Sequence, residues 1–253
     1  MKRYKSRSLY WLGFVGISLF LAFYFLLGQE PFDIKAHYKK AEYMIPVRDG
    51  VKLYTQVYTP IDESQRYPIL LYRTPYSVGF YGENIFRRAL GPNNDFAREG
   101  YIFVYQDVRG KFKSEGEFVV MKPHKIIKSS AQDTDESSDT YDTIDWLLKN
   151  VSNHNGRVGQ WGISYSGFET VMGMINAHPA LAASSPQASP SDMWIGDDFH
   201  HNGAFRLMYT FDWLAGNAQI RSVPSEGRVT GFDYGTPDGY KFFLELGPLA
   251  NVD

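Results

Sequence analysis

The chain has 253 residues, 43% of them hydrophobic, enough to bury one sizeable core or two unequal ones. A formal net charge of -2 leaves no basic excess for a nucleic-acid partner, and the absence of cysteine excludes disulfides, thiolate catalysis and sulfur-ligated metals. A cysteine-free chain suits a reducing cytosol or an exported bacterial protein equally, so the compartment has to be read from the N-terminus.

Lys2, Arg3, Lys5 and Arg7 precede an uncharged run over residues 9–27. As a helix this run would span roughly 28 Å, close to the thickness of a bilayer core. The basic flank predicts a cytoplasmic N-terminus and the remainder of the chain outside the cytoplasm, periplasmic or extracellular. An uncleaved transmembrane anchor is favoured over a secretory signal, because a cleavable signal has a shorter apolar region and a small-x-small site that is not evident before Gln29. Secretion after cleavage is the alternative. Residues 31–38 read as a short polar linker.

Residues 42–47 and 51–59 flank Arg48-Asp49-Gly50, a hairpin signal, and Pro60 ends the second strand. Residues 68–72 and 101–105 are short apolar runs without alternation, as for central strands covered on both faces. Between them, residues 84–100 read as a helix. Residues 139–151 form the clearest helix, with Asp139 as cap and Ile144, Leu147, Leu148 and Val151 on one face. Residues 158–163 predict a buried strand and 165–177 the helix behind it. A hairpin followed by βαβαβα predicts an α/β sheet with helices on both faces.

Between that strand and helix lies V-G-Q-W-G-I-S-Y-S-G at 158 to 167. Gly162 two residues before Ser164, and Ser166 two after, let the backbone turn tightly enough to expose Ser164 at the top of a sheet, as in a nucleophile elbow. A plain Gly/Ser turn is the bland alternative. Ligands of such sheets bind beyond the carboxyl ends of the strands. Arg73-Thr-Pro-Tyr76 follows the third strand, where an oxyanion donor is usually supplied, so the Tyr76 hydroxyl could act beside the Tyr165 N–H; an ordinary turn aromatic is equally open. Asp107 and Arg109, at the end of the next strand, are expected to hold loops by pairing with each other or with backbone carbonyls.

R-T-P-Y at 73 to 76, D-V-R-G-K-F-K-S-E-G-E-F at 107 to 118, D-T-Y-D-T-I-D-W-L at 139 to 147 and G-I-S-Y-S-G at 162 to 167 together resemble the cocaine esterase and X-prolyl dipeptidyl-peptidase group of α/β-hydrolases. Within it, W-I-G-D-D-F-H-H-N-G-A-F-R at 194 to 206 is most similar to α-amino-acid ester hydrolases and glutaryl-cephalosporin acylases. The resemblance covers most of residues 40–215. It implies an incomplete α/β-hydrolase fold, a mostly parallel sheet flanked by helices with the start of a helical cap, preceded by the N-terminal transmembrane helix. It also implies Ser164 as nucleophile, the Tyr165 amide and Tyr76 hydroxyl as oxyanion hole, and Asp198 as ligand of a substrate α-ammonium group; Asp197 could take that last role instead. A carboxylate facing an ammonium gains a charge-assisted hydrogen bond. The implied substrate is a small acyl ester, an amide or a short peptide, with X-prolyl peptides as an alternative, and no cofactor is implied.

An α/β-hydrolase orders its triad Ser, Asp or Glu, then His, the last two after later strands. Residues 190–253 contain no further clear buried strand, so the sequence reads as an N-terminal fragment: anchor or signal over 1–30, hydrolase core over 31–190, start of a cap over 191–253. The catalytic Asp and His are expected to be missing, and a non-catalytic membrane-tethered remnant or binding module is the rival of another class. Missing strands would leave a sheet edge open to homo-oligomer formation. His200 and His201 follow Asp197 and Asp198 too closely to complete a triad and read as packing or exposed residues. His178, before Pro179, is expected to cap helix carbonyls. Residues 133–139 begin like a calcium loop but lack its glycine and terminal glutamate, so they read as a solvated loop and no metal is predicted.

Overall fold

The Arg48-Asp49-Gly50 turn forms a hairpin, with Gly50 at φ 87° and the Val47 N–H donating to the Val51 carbonyl at 2.9 Å. It joins β1 (Tyr38–Pro46) to β2 (Lys52–Pro60) in antiparallel register, Pro46 facing Lys52 and Tyr38 facing Pro60. The structure is a computed structural model that describes residues 32–196, 198–218, 224–226 and 232–252. Strands β3 (Tyr67–Thr74), β4 (Ile102–Asp107), β5 (His154–Ile163) and β6 (Leu181–Gln187) complete one sheet in the order β1-β2-β4-β3-β5-β6. The β3-β4, β3-β5 and β5-β6 pairs are parallel, whereas β2 pairs antiparallel with both β1 and β4.

Both faces of the central strands are covered, which explains their unbroken apolar runs. Ile69, Leu71, Ile102 and Val104 pack on one face against Ile144 and Leu147 of a helix and Val151 just beyond its end. Leu70, Phe103 and Tyr105 point the other way, toward Val78, Leu90 and Ala97. The helices are α1 (Ile34–His37), α2 (Asn94–Glu99), α3 (Glu136–Asn150), α4 (Tyr165–Met174), α5 (Leu207–Asn217) and α6 (Gly239–Leu246); β7 (His200–His201) and β8 (Ala204–Phe205) make a small separate hairpin.

Several expectations are corrected. The sheet is mixed: three strand pairs are parallel, and the leading hairpin adds two antiparallel ones. The expected transmembrane helix is not among the elements described: no helix of the described residues is long and apolar enough to cross a membrane, and the run over residues 9–27 lies outside the described residues. The linker contains a turn of helix capped by Asp33, with Ile34 and Tyr38 buried. The helix expected over 84–100 is confined to α2, since Gly91 at φ 71° packs its backbone on the Phe103 ring and Asn93 caps the helix only afterwards. α3 begins earlier than expected: Asp135, not Asp139, is its cap, in a capping box with Ser138. β6 escaped the sequence because Leu181-Ala-Ala-Ser-Ser-Pro-Gln187 is neither apolar nor alternating; it lies at the end of the sheet and is mostly exposed.

Candidate active site

One residue, Ser164, separates the end of β5 from the start of α4, and it turns the chain at φ 61°, ψ -124°. Its backbone is tied at both ends: the N–H donates to the Gln187 carbonyl at 3.0 Å and the carbonyl accepts from Phe168 N–H at 3.0 Å. Its side chain makes no capping bond to α4 and the residue is exposed, so the hydroxyl is left to face Tyr76 at the first turn of a helix. The unpaired N–H groups of that turn, Tyr165's among them, favour negative charge. Both flanking glycines are required by space. A Cβ on Gly162 would lie 2.0 Å from the Ser166 carbonyl oxygen, and one on Gly167 would lie 2.5 Å from the Gln187 carbonyl oxygen. Ser166 is fully buried and donates to the Tyr72 hydroxyl at 3.1 Å.

Tyr76 follows β3, its N–H anchored on Thr74 Oγ1 at 3.1 Å. Burial pushes its phenol above the ordinary tyrosine value, while hydrogen bonds with the Trp213 indole and the Ser164 side chain pull the other way. The phenol is therefore a neutral donor at neutral pH. Tyr165 is buried; its ring stacks on Trp213 at 6.1 Å and meets Tyr76 edge-on at 6.2 Å.

Ser164, Tyr165, Tyr76 and Asp198 line one cavity of about 30 Å³, together with Met121, Pro190, Phe199, Tyr209 and Trp213. A larger open hollow of about 700 Å³ adjoins it, sharing Tyr209 and Trp213. Asp198 is exposed and accepts from the Tyr209 hydroxyl at 3.4 Å; Asp197 lies outside the described residues. Tyr209 and Trp213 were not legible as site residues, although their i, i+4 spacing puts them on one face of a helix.

The remaining candidates are held elsewhere. His200 Nδ1 contacts the Met193 carbonyl at 2.8 Å, and His201 belongs to the β7-β8 hairpin; among the described residues no histidine lines the Ser164 cavity. His178 does not cap carbonyls: its Nδ1 accepts from Ala180 N–H at 3.1 Å, and its ring packs 4.7 Å from Tyr141. Asp107 and Arg109 do hold loops. Asp107 accepts from Val78 N–H at 2.8 Å and Tyr81 hydroxyl at 3.0 Å, while Arg109 binds Asp139 and Asp49. The expected solvated loop at 133–139 is instead largely buried from Thr134 onward, because its carboxyls cap α3 or pair with buried arginines.

A serine at positive φ between a parallel strand and a helix, at the carboxyl edge of a sheet, marks the chain as an α/β-hydrolase type. Residues 49–234 match the X-Pro dipeptidyl-peptidase (S15) family, and the chain belongs to that family. It is 30% identical over 210 residues to a cocaine esterase of Rhodococcus sp. (strain MB1 Bresler), covering 82% of this chain and 32% of that protein. An aminopeptidase from a marine sediment Thaumarchaeota archaeon is 39% identical, with a TM-score of 0.70 over 87% of this chain and 36% of the other. An α-amino acid ester hydrolase is also 39% identical, with a TM-score of 0.71 over 89% of this chain and 37% of the other. The chain thus spans about a third of the length of these relatives.

Proposed function

We propose that the chain carries the nucleophile and oxyanion half of a serine hydrolase of ester or amide bonds. Ser164 would attack an acyl carbonyl, and the Tyr165 N–H and Tyr76 hydroxyl would receive the developing oxyanion. The observation that carries this reading is the convergence of Ser164, Tyr165 and Tyr76 on one cavity just large enough for a small polar group. Each oxyanion donor typically contributes on the order of a hundredfold to a thousandfold in rate. Asp198 on the same wall supports a substrate with a free amine beside the scissile carbonyl, and the adjoining hollow offers room for the rest of it. The names of the two 39%-identical structures, an aminopeptidase and an α-amino acid ester hydrolase, agree with such an amine.

Acyl transfer also needs a base to take the Ser164 proton, and no cavity-lining residue is a histidine among those described. Loss of the base from one such triad costs on the order of a millionfold. The test is fluorophosphonate labelling of Ser164, with turnover of an α-amino-acid ester, in the 253-residue chain and in Ser164→Ala. Labelling confined to the unaltered chain supports the nucleophile; turnover that survives Ser164→Ala refutes it. Absence of both from a longer protein that contains this chain together with a histidine base favours a non-catalytic binding module. The family match gives a second reading, an X-prolyl dipeptidyl-peptidase, which predicts faster acylation by an X-Pro anilide than by the amino ester.

A further inference from the structure

Behind the elbow, none of them lining the cavity, six charged side chains cluster: Arg73 and Arg109, Asp49 from the β1-β2 turn, Glu136 and Asp139 from α3, and Glu169 from α4. Arg109 is satisfied by two carboxylates, Asp139 at 2.8 and 2.9 Å and Asp49 at 2.7 and 3.2 Å. Arg73 is left with two more, Glu136 and Glu169, which reach the same nitrogen, Nη1, at 3.1 and 3.2 Å. The three side chains of this second group are only 2%, 6% and 1% exposed, so solvent cannot screen the two acids from each other. The other Arg73 contacts, Gln106 Oε1 at 2.8 Å, Thr140 Oγ1 at 2.9 Å and the Glu136 carbonyl oxygen at 3.2 Å, are neutral. Glu136 Oε2 meets Arg73 off the hydrogen-bond direction and has no hydrogen-bond partner, and neither has Glu169 Oε1, among the described residues. One proton placed between the acids would satisfy an orphaned oxygen and remove the excess negative charge together.

We propose that Glu136 and Glu169 share one proton as a buried carboxyl–carboxylate pair, and that this pair, gripped by Arg73, fixes the loop carrying Tyr76 relative to the helix that starts at Ser164. The placement suits the task. Arg73 lies near the end of β3, three residues before Tyr76; Glu169 lies on α4, five after Ser164; Glu136 opens α3. Burial, then the Glu136 charge, push Glu169 well above the ordinary carboxylate range. The charged and titratable groups facing the pair are Arg73 from β3, Asp139 from α3, Arg109 with Asp49 beyond it, and Tyr165 from α4. These are positioning residues, and none touches the cavity.

The sign of the linkage follows from the raised value. The folded chain holds a proton that the unfolded chain releases at the ordinary glutamate value, so stability is full below that value and declines as pH rises toward the folded one. The decline from this site is at most tenfold in the unfolding constant per pH unit. Glu169→Gln keeps a hydrogen-bond donor without a titrating proton, whereas Glu169→Ala removes both. The experiment uses the 253-residue chain. Infrared spectroscopy at neutral pH is expected to show the C=O stretch of a buried protonated carboxyl that disappears in Glu169→Gln, and that variant is expected to have a shallower decline of stability with pH. Hydrogen exchange in Glu169→Ala is expected to rise at least tenfold both in α4 and in the segment around Tyr76, with Glu169→Gln close to wild type. A wild-type chain without that band, or with the same pH slope as Glu169→Gln, overturns the shared proton. Faster exchange confined to α4 overturns the coupling, and should Glu169→Ala not fold, unaltered exchange around Tyr76 in Arg73→Met does so. No readout requires catalysis, so failure of the nucleophile reading would be seen separately.

Discussion

Gly162→Ala tests the elbow most directly. The added methyl would sit 2.0 Å from the Ser166 carbonyl oxygen, 2.3 Å from its carbon and 2.9 Å from its Cβ, where ordinary contacts need about 3.5 Å. Two of those atoms are backbone, so no rotamer change can relieve the clash, and the turn has to open by more than about 1 Å. Overpacking typically costs about 1–3 kcal/mol, and an unyielding neighbour points to the upper end, about 3 kcal/mol. At about 2–4 °C per kcal/mol for a chain of this size, the melting temperature should fall by about 6–12 °C. A displacement of that order also costs on the order of a hundredfold in a reaction that depends on Ser164 geometry. Gly196→Ala is the matched control: no atom lies within 4 Å of its new methyl, and its stability should stay within about 0.5 kcal/mol of wild type. Thermal melts of the three proteins decide the matter. A Gly162→Ala protein melting within about 2 °C of wild type would refute the tight-turn account.

Other variants address the neighbouring groups. Tyr76→Phe should leave the melting temperature nearly unchanged and lower acylation by roughly a hundredfold or more, read as kcat/KM on the amino ester; an unchanged rate would remove Tyr76 from the oxyanion role. Asp198→Asn should raise KM for an α-amino ester by about tenfold or more while sparing its N-acetylated counterpart, and equal effects on both substrates would contradict ammonium recognition. Arg109→Met strands Asp139 and Asp49 and should destabilise the fold by about 3–5 kcal/mol in urea titrations. Asp133 is held at about 2 by Lys125 and the Ser129 and Ser130 N–H groups. Its stabilising contribution is present above the ordinary aspartate value and fades as pH falls toward about 2, which carbon NMR titration of its carboxyl should show.

Legibility from sequence followed the strength of the local physics. Apolar runs of β3 and β4, the Gly50 turn and the serine elbow each impose a conformation within a few residues, and all of them form as read. β6 carries no such signal, because its backbone is ordered by pairing with β5 rather than by its own side chains. The Ser164, Tyr165, Tyr76 and Asp198 cavity was assembled from motifs far apart in the chain, yet its Trp213 and Tyr209 wall depends on how α5 docks. Run 133–139 misled for a related reason. Its acids look solvated in isolation, and only the arginines brought in by β3 and the loop after β4 make burial tolerable. A charge's partner across the fold leaves no mark on its own neighbours in sequence.

Ser164 also says something about what this fold tolerates. A non-glycine residue at φ 61°, ψ -124° typically carries about 1–3 kcal/mol of conformational strain, a sizeable part of the net stability of an ordinary domain. Glycine occupies that region freely and loses about 0.5–1 kcal/mol through its greater freedom when unfolded, so Ser164→Gly should make the protein as stable or more so. The residue best suited to the backbone is therefore not the one present. Thermodynamic optimisation of the turn would erase its hydroxyl, and any stabilising redesign of this chain has to leave this strained position alone.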